Sequence, residues 1–184
     1  PHYLFQGVPE ENPGAVEFFQ KRGYQAAWSS VNMRLDLAGY DPGQVDIPPV
    51  PEGVAFRLLE TGEEPALLAA VEDAQPAWLE FYQGCPSPIL VAAEQGQLVG
   101  FAMVPPEGGR FLGDVEKPGS LECVGVVKSH RNRGIGMGMV LAGIRWLKEQ
   151  GCGSIELRYV ALEDWYHKVG FCTFQRMWMG EKNL

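Results

Sequence analysis

The stretch VGVVKSHRNRGIGMGMVLAGIRWLKEQG, Val124 to Gly151, decides the fold. It opens on β-branched residues and then turns glycine-rich at Gly134, Gly136 and Gly138. From there Ile135, Val140, Leu141, Ile144 and Leu147 recur at helical spacing, and Gly151 and Gly153 stop the helix. A strand thus feeds a tight turn, and the turn feeds a helix over 134–150. Glycines let such a backbone approach a ligand closely. The unpaired N–H groups and dipole of a helix start can hold a diphosphate, and Arg131 and Arg133 add positive charge. The segment is neither GxGxxG nor GxxxxGK[ST]. In isolation it reads equally as an anion site or as a structural turn.

Upstream, VAFRLLE (54–60) alternates like a strand, and residues 63–84 form a helical stretch broken at Pro76. PILVAAE (88–94) and QLVGFAMV (97–104) make a hairpin about Gln95-Gly96, and SLECVGVV (120–127) is the strand that enters the turn. Downstream come a strand over 154–160, a short helix over 161–169 and a closing strand over 171–179. Strands interrupted by helices in this order predict an α/β fold, a mixed sheet flanked by helices on both faces.

Residues 38–53 carry Pro42, Pro48, Pro49 and Pro51 with Gly39, Gly43 and Gly53, which suits neither a helix nor a central strand. The segment reads as a linker that sets 1–37 apart from 54–184. The piece before it contains a partial repeat: Phe19-Gln-Lys-Arg-Gly-Tyr24 matches Tyr166-His-Lys-Val-Gly-Phe171. Both copies sit between a short helical stretch and a strand-like run, so a helix over 14–22 and a strand over 26–37 are expected. Chance similarity between two amphipathic helix–strand units is the alternative to a true repeat.

A chain of 184 residues, 46% hydrophobic, can bury one substantial core. No apolar run reaches the ~20 residues of a membrane-spanning helix, and the start lacks a secretion signal. Cys85, Cys123, Cys152 and Cys172 form no CxxC pair, and no His cluster has zinc spacing, so no metal is expected. They read as reduced, mostly buried thiols of a cytoplasmic protein. A net charge of −8 argues against nucleic acid and suits a cationic acceptor such as an amine.

With its context, the turn resembles the GNAT superfamily of N-acetyltransferases. The matching residues are Val126, then Arg131-x-x-Gly134-x-Gly136, then Tyr166-x-x-x-Gly170-Phe171. The resemblance covers 53–184 in element order and is specific in its second half. It implies a splayed mixed sheet and acetyl-CoA as acyl donor. It also implies that 1–37 is the C-terminal remnant of a preceding GNAT-like domain, as in a tandem protein, since Asn12, Ala15 and Phe18 fit the pattern too.

Carried over, the loop Arg131, Asn132, Arg133, Gly134, Ile135, Gly136, Met137 and Gly138 would cradle the pyrophosphate. Val124, Gly125 and Val126 would pair with the pantetheine arm. Tyr166 would protonate the departing thiolate, a role that suits a neutral phenol; a packing tyrosine is the alternative. Glu122 and Glu156 are the two candidates for the base, Glu156 being preferred because its strand flanks the expected thioester. Either could instead be a solvated side chain, and Glu163 and Asp164 are expected to face solvent. Trp78, Phe81 and Tyr82 are candidates for the acceptor pocket, although one apolar helix face accounts for them as core.

The chain departs from the family where Tyr159 stands in place of an Asn seven residues before the tyrosine, and Phe19 replaces that tyrosine in the first copy. The resemblance therefore implies acetyl transfer to a primary amine of a small molecule or peptide. A non-catalytic acyl-CoA-binding or regulatory domain is the second reading. The third is a scaffold in which 1–37 completes a fold or forms a homodimer.

Overall fold

A computed structural model describes residues 7–108 and 118–182; the outermost residues of the expected N-terminal piece, 1–6, lie outside them. The chain divides into two compact units. One combines residues up to Leu35 with those from Leu157 onward; the other runs from Asp36 to Glu156.

The Asp36–Glu156 unit is built on β3 (Val54–Leu58), β4 (Ile89–Glu94), β5 (Gln97–Met103) and β7 (Glu122–Val126), an antiparallel ladder in that order. The β4–β5 turn is as read: Gln95 and Gly96 both take positive φ, 51° and 79°, the backbone a two-residue hairpin wants. Alternation along the strands then sends neighbouring residues to opposite faces. Val91, Phe101 and Met103 meet Leu67 and Val71 of α2 (Glu64–Ala74) in one apolar cluster. The other face is lined by Phe56, Ala92 and Gly100, which lie opposite one another across the strands. There Met139 and Gly138 of α4 (Ile135–Glu149) close on the sheet. Helices therefore cover both faces of this ladder.

The helical stretch over 63–84 breaks at Pro76 as expected and forms three pieces. α2 ends at Ala74, Pro76–Trp78 form a 3-10 turn, and α3 holds only Leu79–Tyr82. Proline at 76 cannot donate to the ladder of α2 and disfavours a helical residue before it; Gln75 accordingly is extended, with φ −158°. The single strand expected over 120–127 is also divided, into β6 (Pro118–Ser120) and β7 with Leu121 between them. β6 pairs in parallel with the first residues of β8 (Ser154–Val160).

The other unit begins with a two-residue strand β1 (Val8–Pro9), α1 (Pro13–Gln20) and β2 (Gln25–Asp36), close to the expected helix and strand. It continues with the second half of β8, then α5 (Glu163–His167) and β9 (Cys172–Glu181). β9 pairs antiparallel with β1 and with β2, and β2 lies between β9 and β8. Asn12 caps α1, its side chain accepting from the Ala15 N–H at 3.2 Å. Cys172 is exposed, against the expectation that the thiols are mostly buried; Cys152 is buried and Cys85 and Cys123 are half-buried.

Candidate functional site

The turn between β7 and α4 forms as the glycines dictate. Gly134 takes φ 78° at the N-terminus of α4, and Asn132 takes φ 59° just before it; Asn is among the few residues with a side chain that tolerate this region. No side chain caps α4. Its first-turn amides are thus presented as donors at the positive end of a 15-residue helix.

The two arginines of the turn are engaged by the protein itself. Arg131 donates to the carbonyls of Val126 at 3.1 Å and Ala74 at 2.9 Å. The Lys128 N–H donates to Asp73 at 2.7 Å, so the end of α2 holds both sides of the turn. Arg133 makes a two-pronged pair with Glu94, at 2.8 and 3.0 Å, and His130 Nε2 lies 3.1 Å from the same carboxylate. The Arg133 guanidinium, then its charge and that of His130, hold the Glu94 carboxyl below its usual range. Asp73, Ala74 and Glu94 are supports that sequence reasoning missed. They lie 39 to 57 residues from their partners, and no local pattern marks them.

β7 is the last strand of its ladder and carries a bulge. Phe101 pairs with Gly125 and Met103 with Glu122, so Cys123 and Val124 face Ala102 alone. Cys123 takes φ 49°, and its carbonyl accepts the Tyr82 hydroxyl at 2.8 Å. A Cβ on Gly125 would collide with the Phe101 ring, which fixes glycine there for packing. Burial first, then Glu122 and Cys85, push the Cys123 thiol up to about 12.

Glu122 and Glu156 meet at Ser120, whose hydroxyl lies 2.8 Å from Glu122 Oε1 and 3.1 Å from the Glu156 carbonyl oxygen. A hydroxyl has one proton, so it donates to one of them at a time. The two carboxylates differ in access: Glu122 is half-exposed, while Glu156 has no exposed surface.

The aromatic trio does not share one environment. Tyr82 is buried and stacks edge-on to Phe101 at 5.2 Å, with burial raising its phenol well above the usual range. Trp78 packs against the same core, whereas Phe81 is 40% exposed. Trp78 ends the 3-10 turn while Phe81 and Tyr82 lie on α3, so the three do not share the single α-helical face that the sequence reading assumed.

Tyr166 belongs to the other unit, on α5, half-buried between Trp165 and Phe171 with ring centroids 4.7 and 5.8 Å away. α5 is tied to β9 through Glu163, which the sequence reading left facing solvent. That carboxylate instead accepts from Thr173 at 2.6 Å and from Arg176 at 2.7 and 3.0 Å. Asp164 is exposed, as expected. Tyr159, standing where the family pattern has Asn, takes φ 53° and donates its N–H to Asn32 Oδ1 at 3.2 Å.

A strand, an uncapped glycine-rich helix start and a sheet with helices on both faces fit the fold of an acetyltransferase. Residues 53–171 match the acetyltransferase (GNAT) family model, and the chain belongs to that family. Curated relatives include a mycothiol acetyltransferase of Actinosynnema mirum, 29% identical over 78% of this chain and 51% of the relative. Another, from Amycolatopsis mediterranei, is 25% identical over 88% of this chain and 59% of the relative. The chain thus spans a little over half the length of these relatives. Among solved structures, a GCN5-related glucosamine N-acetyltransferase region of a fungal multi-domain β-N-acetylglucosaminidase aligns with a TM-score of 0.80. It is 24% identical, over 98% of this chain and 24% of that one. A GCN5-related N-acetyltransferase from Sphaerobacter thermophilus aligns at 0.76 and 22% identity, over 96% of this chain and 58% of its own. At those identities the structures speak to the fold. No helix among the described residues is long and apolar enough to cross a membrane.

Proposed function

We propose that this chain transfers an acetyl group from acetyl-CoA to a primary amine of a small molecule or peptide by direct attack. The observation that carries the reading is the uncapped start of α4, reached from edge strand β7 through the turn over 127–134. The amides of residues 134–137 supply donors for the pyrophosphate, the Gly138 N–H being taken by the Gly134 carbonyl at 3.0 Å. The bulge at Cys123–Val124 takes two residues of β7 out of regular register with β5, and the strand's unpaired edge suits the amide-bearing pantetheine arm. Arg131 and Arg133 act chiefly by holding the turn, because their guanidinium groups are already engaged.

In the reaction the amine nitrogen attacks the thioester carbonyl carbon and the carbon–sulfur bond breaks. The leaving thiolate takes the Tyr166 phenolic proton, and solvent restores it. The proton lost by the amine goes to a carboxylate through water. Access favours Glu122 for that role over Glu156, since a carboxylate without exposed surface meets no acceptor. Four free thiols fit a reducing, cytoplasmic setting.

Residues up to 37 read as the end of a preceding GNAT-like domain. α1 buries none of its residues, and Phe18 and Trp28 stay 49% and 44% exposed, apolar surface of the kind a domain body covers.

Thiol release from acetyl-CoA across a panel of amines tests the enzymatic reading. Tyr166→Phe keeps the ring and removes the proton donor, so kcat should fall about 10²–10⁴-fold while the coenzyme Kd holds. Coenzyme binding with no turnover of any amine would favour the acyl-CoA-binding domain. Full turnover by Tyr166→Phe would pass protonation of the thiolate to water or substrate.

A further inference from the structure

The segment read as a linker meets α4 near both of its ends. At the C-terminal end of the helix, the Leu37 N–H donates to the Gly153 carbonyl at 3.0 Å and Lys148 Nζ to the Tyr40 carbonyl at 2.8 Å. Asp41 then caps a 3-10 turn over Pro42–Gln44, accepting from the Gly43 N–H at 2.8 Å. At the N-terminal end, Pro48 and Pro49 place their carbonyls over the turn: a Cβ on Gly134 would stand 3.0 and 2.8 Å from those oxygens. The chain then folds back, and a Cβ on Gly138 would stand 2.7 Å from Val50 Cγ2 and 2.6 Å from Phe56 Cζ. Fifteen helical residues span roughly 22 Å, so the segment is a strap anchored at both ends of α4.

Two glycines of the motif therefore face the strap on the sides where their side chains would grow. This packing disfavours a side chain at 134 and at 138, and the φ of 78° at Gly134 disfavours one there as well. Two consecutive prolines fix φ and have no N–H to rearrange, so the strap meets the turn as a stiff surface. Its carbonyl oxygens lie at the positive end of the helix dipole, where negative partial charge is stabilising.

We propose that Pro48, Pro49 and Val50 are positioning residues for the coenzyme. They hold the turn at Gly134 and the first turn of α4 from behind, and so set the direction of the amides of Ile135, Gly136 and Met137 without touching the ligand. The proposal rests on the reading of this turn as the coenzyme site. Preorganised donors bind more tightly because less ordering is left to the binding step.

The test is calorimetry with acetyl-CoA on the full chain, with Val50→Ala, Val50→Thr and the double variant Pro48→Ala/Pro49→Ala. Melting temperature and the amide exchange of Ile135–Met137 are measured alongside. Val50→Ala and the double variant should raise Kd about 5- to 30-fold and speed exchange at those three amides. Val50→Thr keeps the branched shape and should stay within about 2-fold of wild type. A purely structural role would lower the melting temperature and the bindable fraction while leaving Kd unchanged. Wild-type Kd and exchange in folded Val50→Ala and double-proline variants would therefore overturn the positioning role and leave the coenzyme site standing. Absence of binding by the wild type would overturn the site itself, and the strap's role with it.

Discussion

Tyr82 ties the core to the bulge of β7 through one hydroxyl. Its ring fills the core beneath β5, and its O–H donates to the Cys123 carbonyl at the bulge of β7. The bulge puts a residue other than glycine at φ 49°, a backbone that persists only where its surroundings hold it. Tyr82→Phe keeps the packing and leaves that carbonyl without this donor, which should cost about 1–3 kcal/mol of stability. Urea unfolding measures the loss, and a change below about 0.3 kcal/mol would mean that water replaces the hydroxyl. The residue was legible in the sequence only as an aromatic on a helix. Its partner lies 41 residues away, and the bulge that brings them together leaves no local signature. Glu163 teaches the same point in reverse. It reads as a surface carboxylate by position, yet Thr173 and Arg176 of the following strand claim it.

At the scale of elements, the strands and the long helix were legible because their periods are clean. β4 and β5 are joined by Gln95-Gly96, and α4 repeats its apolar residues from Ile135 to Leu147. The break of the stretch 63–84 at Pro76 was legible too, whereas the 3-10 turn over Pro76–Trp78 and the shortness of α3 were not, since apolar residues continue on both sides. The segment 38–53 reads as a tether by composition, and composition alone says nothing of what a proline-rich chain lies against. β2 shows how an element can be found while its place stays hidden. Its residues alternate poorly, but it pairs with β9 from Gln25–Glu181 through Arg34–Cys172 and has β8 on its other side. An interior strand has bonded neighbours on both edges, so amides 29–34 should exchange at least roughly 10³-fold slower than in an unfolded chain. Exchange at unfolded rates over 25–36, with β9 still protected, would show that β2 is not held in this sheet in solution.

For the molecule as a whole, membership of the acetyltransferase (GNAT) family accounts for the order of elements over residues 53–171. What remained illegible is the support around the glycine-rich turn. Asp73, Ala74 and Glu94 hold it through backbone and side-chain bonds, and Pro48, Pro49 and Val50 back its glycines. Those contacts come from parts of the chain that only folding brings together. They also change what a glycine substitution means: a side chain at 134 meets the strap first, so Gly136, half-exposed in the first turn of α4, is the better probe of the ligand. In the proposed binding mode this helix start holds the coenzyme diphosphate through backbone amides. Acetyl-CoA should bind the wild-type chain at a single calorimetric site with a Kd between about 1 µM and 1 mM. Gly136→Asp, confirmed as folded by circular dichroism, should give no heat, because its carboxylate stands where the pyrophosphate meets the amides. Binding by folded Gly136→Asp with an unchanged Kd, or none by the wild type, would contradict it.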